Sequence, residues 1–182
     1  MENLIAQIEK TFSISDVRKQ RENLYYITAS KDQTIPLITW LRDFKGFKHF
    51  VLLTAVDWIE DNKFQLTYTL NNPDEHYDIG IRTFIDRDNP VMISAHHLWE
   101  QVATYQREIK EMYGIDFPGS PRVDEPFILE GWDNIPPMRR DFDTLKYSEE
   151  TYFPRPGRKT YNPTDYMKEK LYTDSNNSKQ DK

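Results

Sequence analysis

The sequence predicts an α+β fold: a mixed, largely antiparallel sheet with helices packed on it, followed by an extended C-terminal strap. Three observations carry this expectation. Residues 63–72 and 76–86 alternate apolar and polar positions, as strands with one buried face do. Apolar residues recur at helical spacing near 2–12, 35–44 and 102–112. After Gly114 the apolar residues become isolated and mostly aromatic, and eight of the eleven prolines fall beyond residue 116, so this part has little with which to build a core of its own.

Taken in order, Leu4, Ile5, Ile8 and Phe12 form one helical stripe, with Asn3 as a cap. Residues 21–30, dense in Tyr, Ile and Thr, read as a strand. A second helix starts at Asp32 or Thr34 and places Ile35, Ile38, Leu41 and Phe44 together, with Trp40 beside them. Pro36 suits its first turn and Gly46 its end. Residues 47–59 read as a buried strand with an aromatic end, and Asp61-Asn62 as a turn. Phe64, Leu66, Tyr68 and Leu70 then share one face of a strand. Tyr77, Ile79, Ile81 and Thr83 share a face of the next, across a turn at 71–75. A last helix is predicted from near His96 or Leu98 to Gly114, lined by Val102, Tyr105, Ile109 and Met112. The division predicted is a globular body over 1–117, an extended partner-wrapping region over 118–172 and a polar tail over 173–182.

Composition narrows the function. The formal net charge of −6 argues against a nucleic-acid groove. With no cysteine, the chain has no disulfide, thiolate nucleophile or cysteine-ligated cluster. No apolar stretch approaches the length of a membrane span, and no signal peptide is expected from the first residues. Aromatics make up 14% of residues, and rings with polar handles suit protein interfaces.

No catalytic motif emerges. His96 and His97 are adjacent, so on a helix they point apart, and His49 and His76 are the only others. Glu108 and Glu111 can share a helix face, as surface ion pairs with Arg107 and Lys110, as partner contacts, or as an acid–base pair of a stand-alone carboxylate-dependent hydrolase. Ser120 has no base near it in sequence. Arg139 and Arg140, between prolines and Phe142, read either as a solvated loop or as anchors for a partner's carboxylate.

Residues 106–121, "QREIKEMYGIDFPGSP", resemble the signature of the 30 kDa subunit family of respiratory complex I, which includes the corresponding subunit of bacterial NADH–quinone oxidoreductase. That signature is approximately E-R-E-x-x-D-M-[FY]-G-I-x-F-x-G-H-P. "EGWDNIPPMRRDF" at 130–142 is similar to its continuation, and "LLTAVDW" at 52–58 to a strand end of the family. The resemblance implies a non-catalytic subunit that binds no cofactor and no metal, with iron–sulfur clusters and quinone in neighbouring subunits. The implied partners are the 49 kDa-like quinone-site subunit, the small iron–sulfur subunit and the ferredoxin-like subunit of the hydrophilic arm. The implied location is peripheral, on the cytoplasmic side of the inner or cell membrane. Equivalent subunits occur in membrane-bound hydrogenases and ferredoxin-linked complexes. The expected partner-interface residues are Arg107, Glu108, Glu111, Tyr113, Phe117, Trp132, Arg139, Arg140 and Phe142. The chain departs from the pattern at Gln106, where the family has glutamate, at Glu111, where it has aspartate, and at Ser120, where it has histidine. These departures leave room for a relative outside the NADH-linked enzyme.

Overall fold

The computed structural model describes residues 2–152, as one compact unit through Phe142 and a second unit from Asp143 onward. Five strands form one sheet in the order β1-β2-β5-β4-β3. They are β1 (Ile14–Arg21), β2 (Leu24–Ala29), β3 (His49–Trp58), β4 (Lys63–Asn72) and β5 (Tyr77–Asp86). Helices α1 (Glu2–Thr11), α2 (Lys31–Phe44) and α3 (Val102–Tyr113) complete the first unit. The sheet is mixed and largely antiparallel, as the alternation predicts. Only the central β2–β5 pair is parallel.

The registers show how alternation becomes a core. Leu53, Tyr68, Ile81 and Ile27 line up across four strands, and Ala55, Leu66 and Thr83 across three. All of these are buried on one face. Ile8 of α1, Leu37, Ile38 and Leu41 of α2, and Val102 and Ile109 of α3 join them in a single apolar cluster. The opposite face is more open, with Val56, Trp58 and Phe84 about 40% exposed. A half-solvated antiparallel sheet of this kind needs apolar residues on alternate positions only.

Three local features differ from expectation. Strand β1 falls where the sequence predicts none. It is an edge strand with no buried residue and four charges, Asp16, Arg18, Lys19 and Arg21, a pattern that protects an edge from unwanted pairing but hides it from periodicity analysis. Helix α2 begins one residue before the predicted start, so Pro36 lies beyond the first turn, inside the helix. Thr34 and Thr39 donate side-chain hydrogen bonds back to the carbonyls of Ser30 and Ile35 on either side of it. Helix α3 starts at Val102, later than His96 or Leu98, because separate turns occupy the stretch before it. Gly114 ends α3 at φ +77°, with its amide bonded to the Lys110 carbonyl at 2.8 Å. A glycine takes this left-handed geometry without the Cβ penalty.

The chain to Phe142 belongs to the first unit. In the second unit, helix α4 (Thr144–Thr151) is capped by Asp143, whose carboxylate accepts from the amides of Leu145 and Lys146. The expected tail over 173–182, and most of the expected strap beyond Tyr152, lie outside the described residues.

On the open face, Tyr26 pairs with Gly80 across the parallel strands, and the Arg82 guanidinium stacks on its ring at 4.0 Å. A Cβ on Gly80 would come within 2.4 Å of that ring. Gly80→Ala is therefore expected to lower stability by about 1–3 kcal/mol through overpacking. Urea unfolding measures it, and most of the cost should vanish in a Tyr26→Ala background. An undiminished cost there would show that the ring is not the obstacle.

Candidate functional site

The motif residues gather where the C-terminal end of α3 meets the end of the sheet and the returning segment 118–142. Three anchors hold that segment. First, Glu111 accepts from three successive backbone amides, those of Phe127 at 2.6 Å, Ile128 at 2.9 Å and Leu129 at 3.1 Å. A carboxylate has enough lone pairs for all three, and charge-assisted bonds are the stronger kind. Second, the amide of Met138 donates to the carbonyl of Met112, near the C-terminal end of α3, at 3.0 Å. Third, the amide of Arg140 donates to Asp57 at 2.9 Å.

Asp57 sits at the end of β3 in the row Asp57–Phe64–Ile85, with its side chain only 1% exposed. Arg87, just after β5, grips it through two nitrogens at 2.8 and 3.2 Å. The same guanidinium reaches Asp141 at 2.8 Å, and Arg139 lies 3.4 Å from Asp141. Arg87 and Arg139 both face the ring of Phe64, at 5.7 and 5.5 Å. The hydrogen bond to Asp57 outweighs burial and drives the Arg87 pKa above its ordinary value, so its charge is fixed. Burial works against ionisation of Asp141, but the bonds and charges of Arg87 and Arg139 hold its pKa below the usual value. Its contribution to the anchor is present above the ordinary aspartate range and is lost as pH falls through the lowered value. At the surface Arg140 pairs with Glu60, and that contact is exposed on both sides.

Among the expected interface residues, the structure separates inward from outward roles. Phe117 is fully buried in the apolar cluster and has no surface to offer. Glu111 is committed to the three amides, which removes it from acid–base work. Tyr113 is half-buried against the Phe64 ring, 6.2 Å away edge-on, and burial with the nearby Asp57 and Glu108 charges raises its pKa. Trp132 and Phe142 meet edge-on at 5.5 Å, and the Trp132 indole donates to the Ile135 carbonyl. Arg107 stacks over Phe127 at 5.3 Å and forms no ion pair with Glu111. Glu108 lies partly exposed on α3. Arg139 is mostly covered and Arg140 half-exposed.

The positions that depart from the pattern have structural roles too. Gln106 is fully buried and accepts the Ser94 hydroxyl at 2.7 Å, and that hydroxyl oxygen also lies 3.1 Å from His96 Nδ1. Ser120 is buried next to the Phe117 turn. Among the described residues, no three His, Asp or Glu side chains are placed to hold a metal ion.

The profile of the family described as "Respiratory-chain NADH dehydrogenase, 30 Kd subunit" matches residues 27–148, from β2 through the returning segment and into α4. The chain belongs to this family. Among its relatives, a subunit of the NADH-quinone oxidoreductase of Moorella thermoacetica is 31% identical over 142 residues, covering 78% of this chain and 95% of that one. The corresponding NADH-quinone oxidoreductase subunit of Rhizobium etli is 32% identical, covering 79% and 72%. In fold, a chain of an archaeal respiratory membrane complex, the membrane-bound sulfane sulfur reductase, superposes with a TM-score of 0.78 at 24% identity, over 88% of this chain and 98% of that one. In this member of the family, Glu111 and the Met112 carbonyl of the signature stretch hold the chain's own returning segment.

Two outcomes test the anchors. Glu111→Ala should abolish hydrogen-exchange protection of the 127–129 amides while β4 amides keep theirs. Protection that persists would mean the loop is held without that carboxylate. Asp57→Ala should cost about 1.5–3 kcal/mol in chemical unfolding, the scale for lost hydrogen bonds to a charged group, because Arg87 keeps Asp141. Glu60→Ala should leave the unfolding midpoint unchanged, and equal losses at both positions would refute the distinction between covered and exposed pairs.

Proposed function

We propose that this chain is a non-catalytic subunit of the hydrophilic arm of a multisubunit respiratory oxidoreductase, where it braces the 49 kDa-like quinone-site subunit. The observation that carries this reading is the family match, which spans both the body and the returning segment. Its relatives in Moorella and Rhizobium bear the name of subunits of NADH–quinone oxidoreductase. The absence of cysteine leaves cluster ligation to other chains.

The docking face of this reading is the one built by α3 and residues 123–142. Arg107, Glu108, Tyr113, Trp132, Arg139, Arg140 and Phe142 belong to it, with Glu111 and Phe117 supporting it from within. Ile128, Ile135 and Met138 are exposed at 69%, 42% and 55% in the same segments. Exposed apolar side chains grouped with charges are the composition of a protein interface. The small iron–sulfur subunit and the ferredoxin-like subunit are the further neighbours proposed. Residues 118–172 are proposed as the partner-wrapping region, on the strength of their scattered rings and prolines. The complex so formed lies at the cytoplasmic face of the membrane. No helix among the described residues is long and apolar enough to cross one.

A second reading is an equivalent subunit of a related complex with a different electron donor, such as a membrane-bound hydrogenase or a ferredoxin-linked enzyme. The fold match to the archaeal respiratory complex, which runs nearly the full length of that chain, favours keeping it. The Gln106, Glu111 and Ser120 departures leave room for the same reading.

Tagged chain purified from its native membranes in mild detergent should bring down homologues of the quinone-site and small iron–sulfur subunits, identified by mass spectrometry. Flavin-bearing NADH-oxidising subunits in the same preparation would select the first reading, and their replacement by a hydrogenase or ferredoxin-linked set the second. A chain that comes down alone would overturn both.

A further inference from the structure

An open cleft of about 350 Å³ lies between α3 and the 123–136 segment. Val123, Leu129, Trp132 and Pro136 give it apolar walls, and Arg107, Lys110 and Glu111 line its α3 side. The carboxylates around it already have donors. Glu111 holds the three amides. Asp116 and Asp124 both hold Lys110 Nζ, and Glu125 takes the Arg122 guanidinium. Lys110 thus has two counter-charges within the chain.

Arg107 is different. Among the described residues its guanidinium has no hydrogen-bond acceptor and no ion-pair partner, and its Nε is closed off from solvent. Glu125 feels its charge through space but directs its hydrogen bond to Arg122. What Arg107 does have is the Phe127 ring beneath it at 5.3 Å. Stacking on a ring orients the planar fork, and with Nε closed off the two terminal nitrogens are the pair suited to two-point capture of a carboxylate. Phe127 is itself fixed there, because its amide is one of the three that Glu111 holds.

We propose that this cleft receives the carboxylate of an aspartate or glutamate side chain of a partner subunit, gripped by Arg107, with an apolar neighbour of that residue against Leu129 and Trp132. The proposal rests on the reading of the chain as a subunit of a larger complex. A carboxylate is the group selected, since Arg107 is, among the described residues, the cation of this cleft that no hydrogen-bonded or ion-paired acceptor engages. The open shape and apolar walls select a polypeptide over a free organic acid, which would want enclosure. The exposed Ile128 beside Phe127 extends the apolar surface along which such a segment would lie.

Two experiments decide it. The full-length chain is titrated with N-acetyl-Leu-Glu-Leu-amide, with its glutamine counterpart and with sodium acetate, while the Arg107 Nε–H resonance is followed. The acidic peptide should shift that resonance saturably, and the glutamine peptide should not. Acetate that binds as well as the peptide would make the ligand a free carboxylate and overturn the assignment to a partner side chain, and no shift from any probe would overturn it as well. In native cells, Arg107→Gln should reduce recovery of the assembled complex at least about tenfold. Arg107→Lys should recover part of it, and the free variant chains should melt with the wild type. Should Arg107→Gln disturb folding, Leu129→Glu decides instead. It leaves Arg107 in place but supplies a competing carboxylate from the wall, and should give the same loss. Assembly at wild-type yield in Leu129→Glu, or in a folded Arg107→Gln chain, overturns the cleft proposal while the subunit reading stands. Failure of the wild-type chain to assemble with anything removes both.

Discussion

The Asp57 carboxylate is the constraint on which the far end of this molecule depends. An ionised group with 1% of its side chain exposed is unfavourable unless it is paired and hydrogen-bonded. Here two nitrogens of Arg87 and the amide of Arg140 supply three donors, and they come from two separated parts of the chain. Meeting the needs of one carboxylate therefore fixes the end of β3, the exit of β5 and the return of residues 139–142 in one place. Replacing the pair with apolar residues would remove the desolvation cost but also the directional reason for the returning chain to stop there.

Helix α3 distributes its side chains according to the same logic. Ile109 joins the apolar core, Met112 is buried, Gln106 is buried and accepts from Ser94, and Glu111 turns to the 127–129 amides. Arg107, one residue from Gln106, has a ring and, among the described residues, no hydrogen-bonded or ion-paired anion.

The sequence was most informative where burial is one-sided and regular. Phe64, Leu66, Tyr68 and Leu70 announce β4 because their partners on β3 and β5 all face the same core. Strand β1 was illegible because an exposed, charged edge carries no alternation. The returning segment was illegible for another reason. Its prolines and isolated rings read as chain without a core, and they are, but what holds them are backbone amides accepted by Glu111, Met112 and Asp57. Acceptors so distant along the chain leave no periodic trace. The family signature was legible as a motif, yet the division of its residues between internal anchors and outward candidates emerges only in the fold. Phe117 and Glu111 look like surface recognition in one dimension and are structural in three.

The parallel pairing of β2 with β5 has a consequence for the order of events during synthesis. Strand β2 lies between β1 and β5, and its partner residues on β5 are about fifty positions further along the chain. The hairpins β3–β4 and β4–β5 close over short loops and can form as soon as they emerge, whereas β2 must wait for β5 before it has a neighbour on its inner side. Until then its apolar residues Leu24, Tyr25 and Ile27, all buried in the finished fold, are held only by the hairpin to β1. The docking of β2 on β5 is thus a late, long-range closure. The charges along β1 cover the outer edge of that waiting hairpin, where a growing chain is most exposed to pairing with its neighbours.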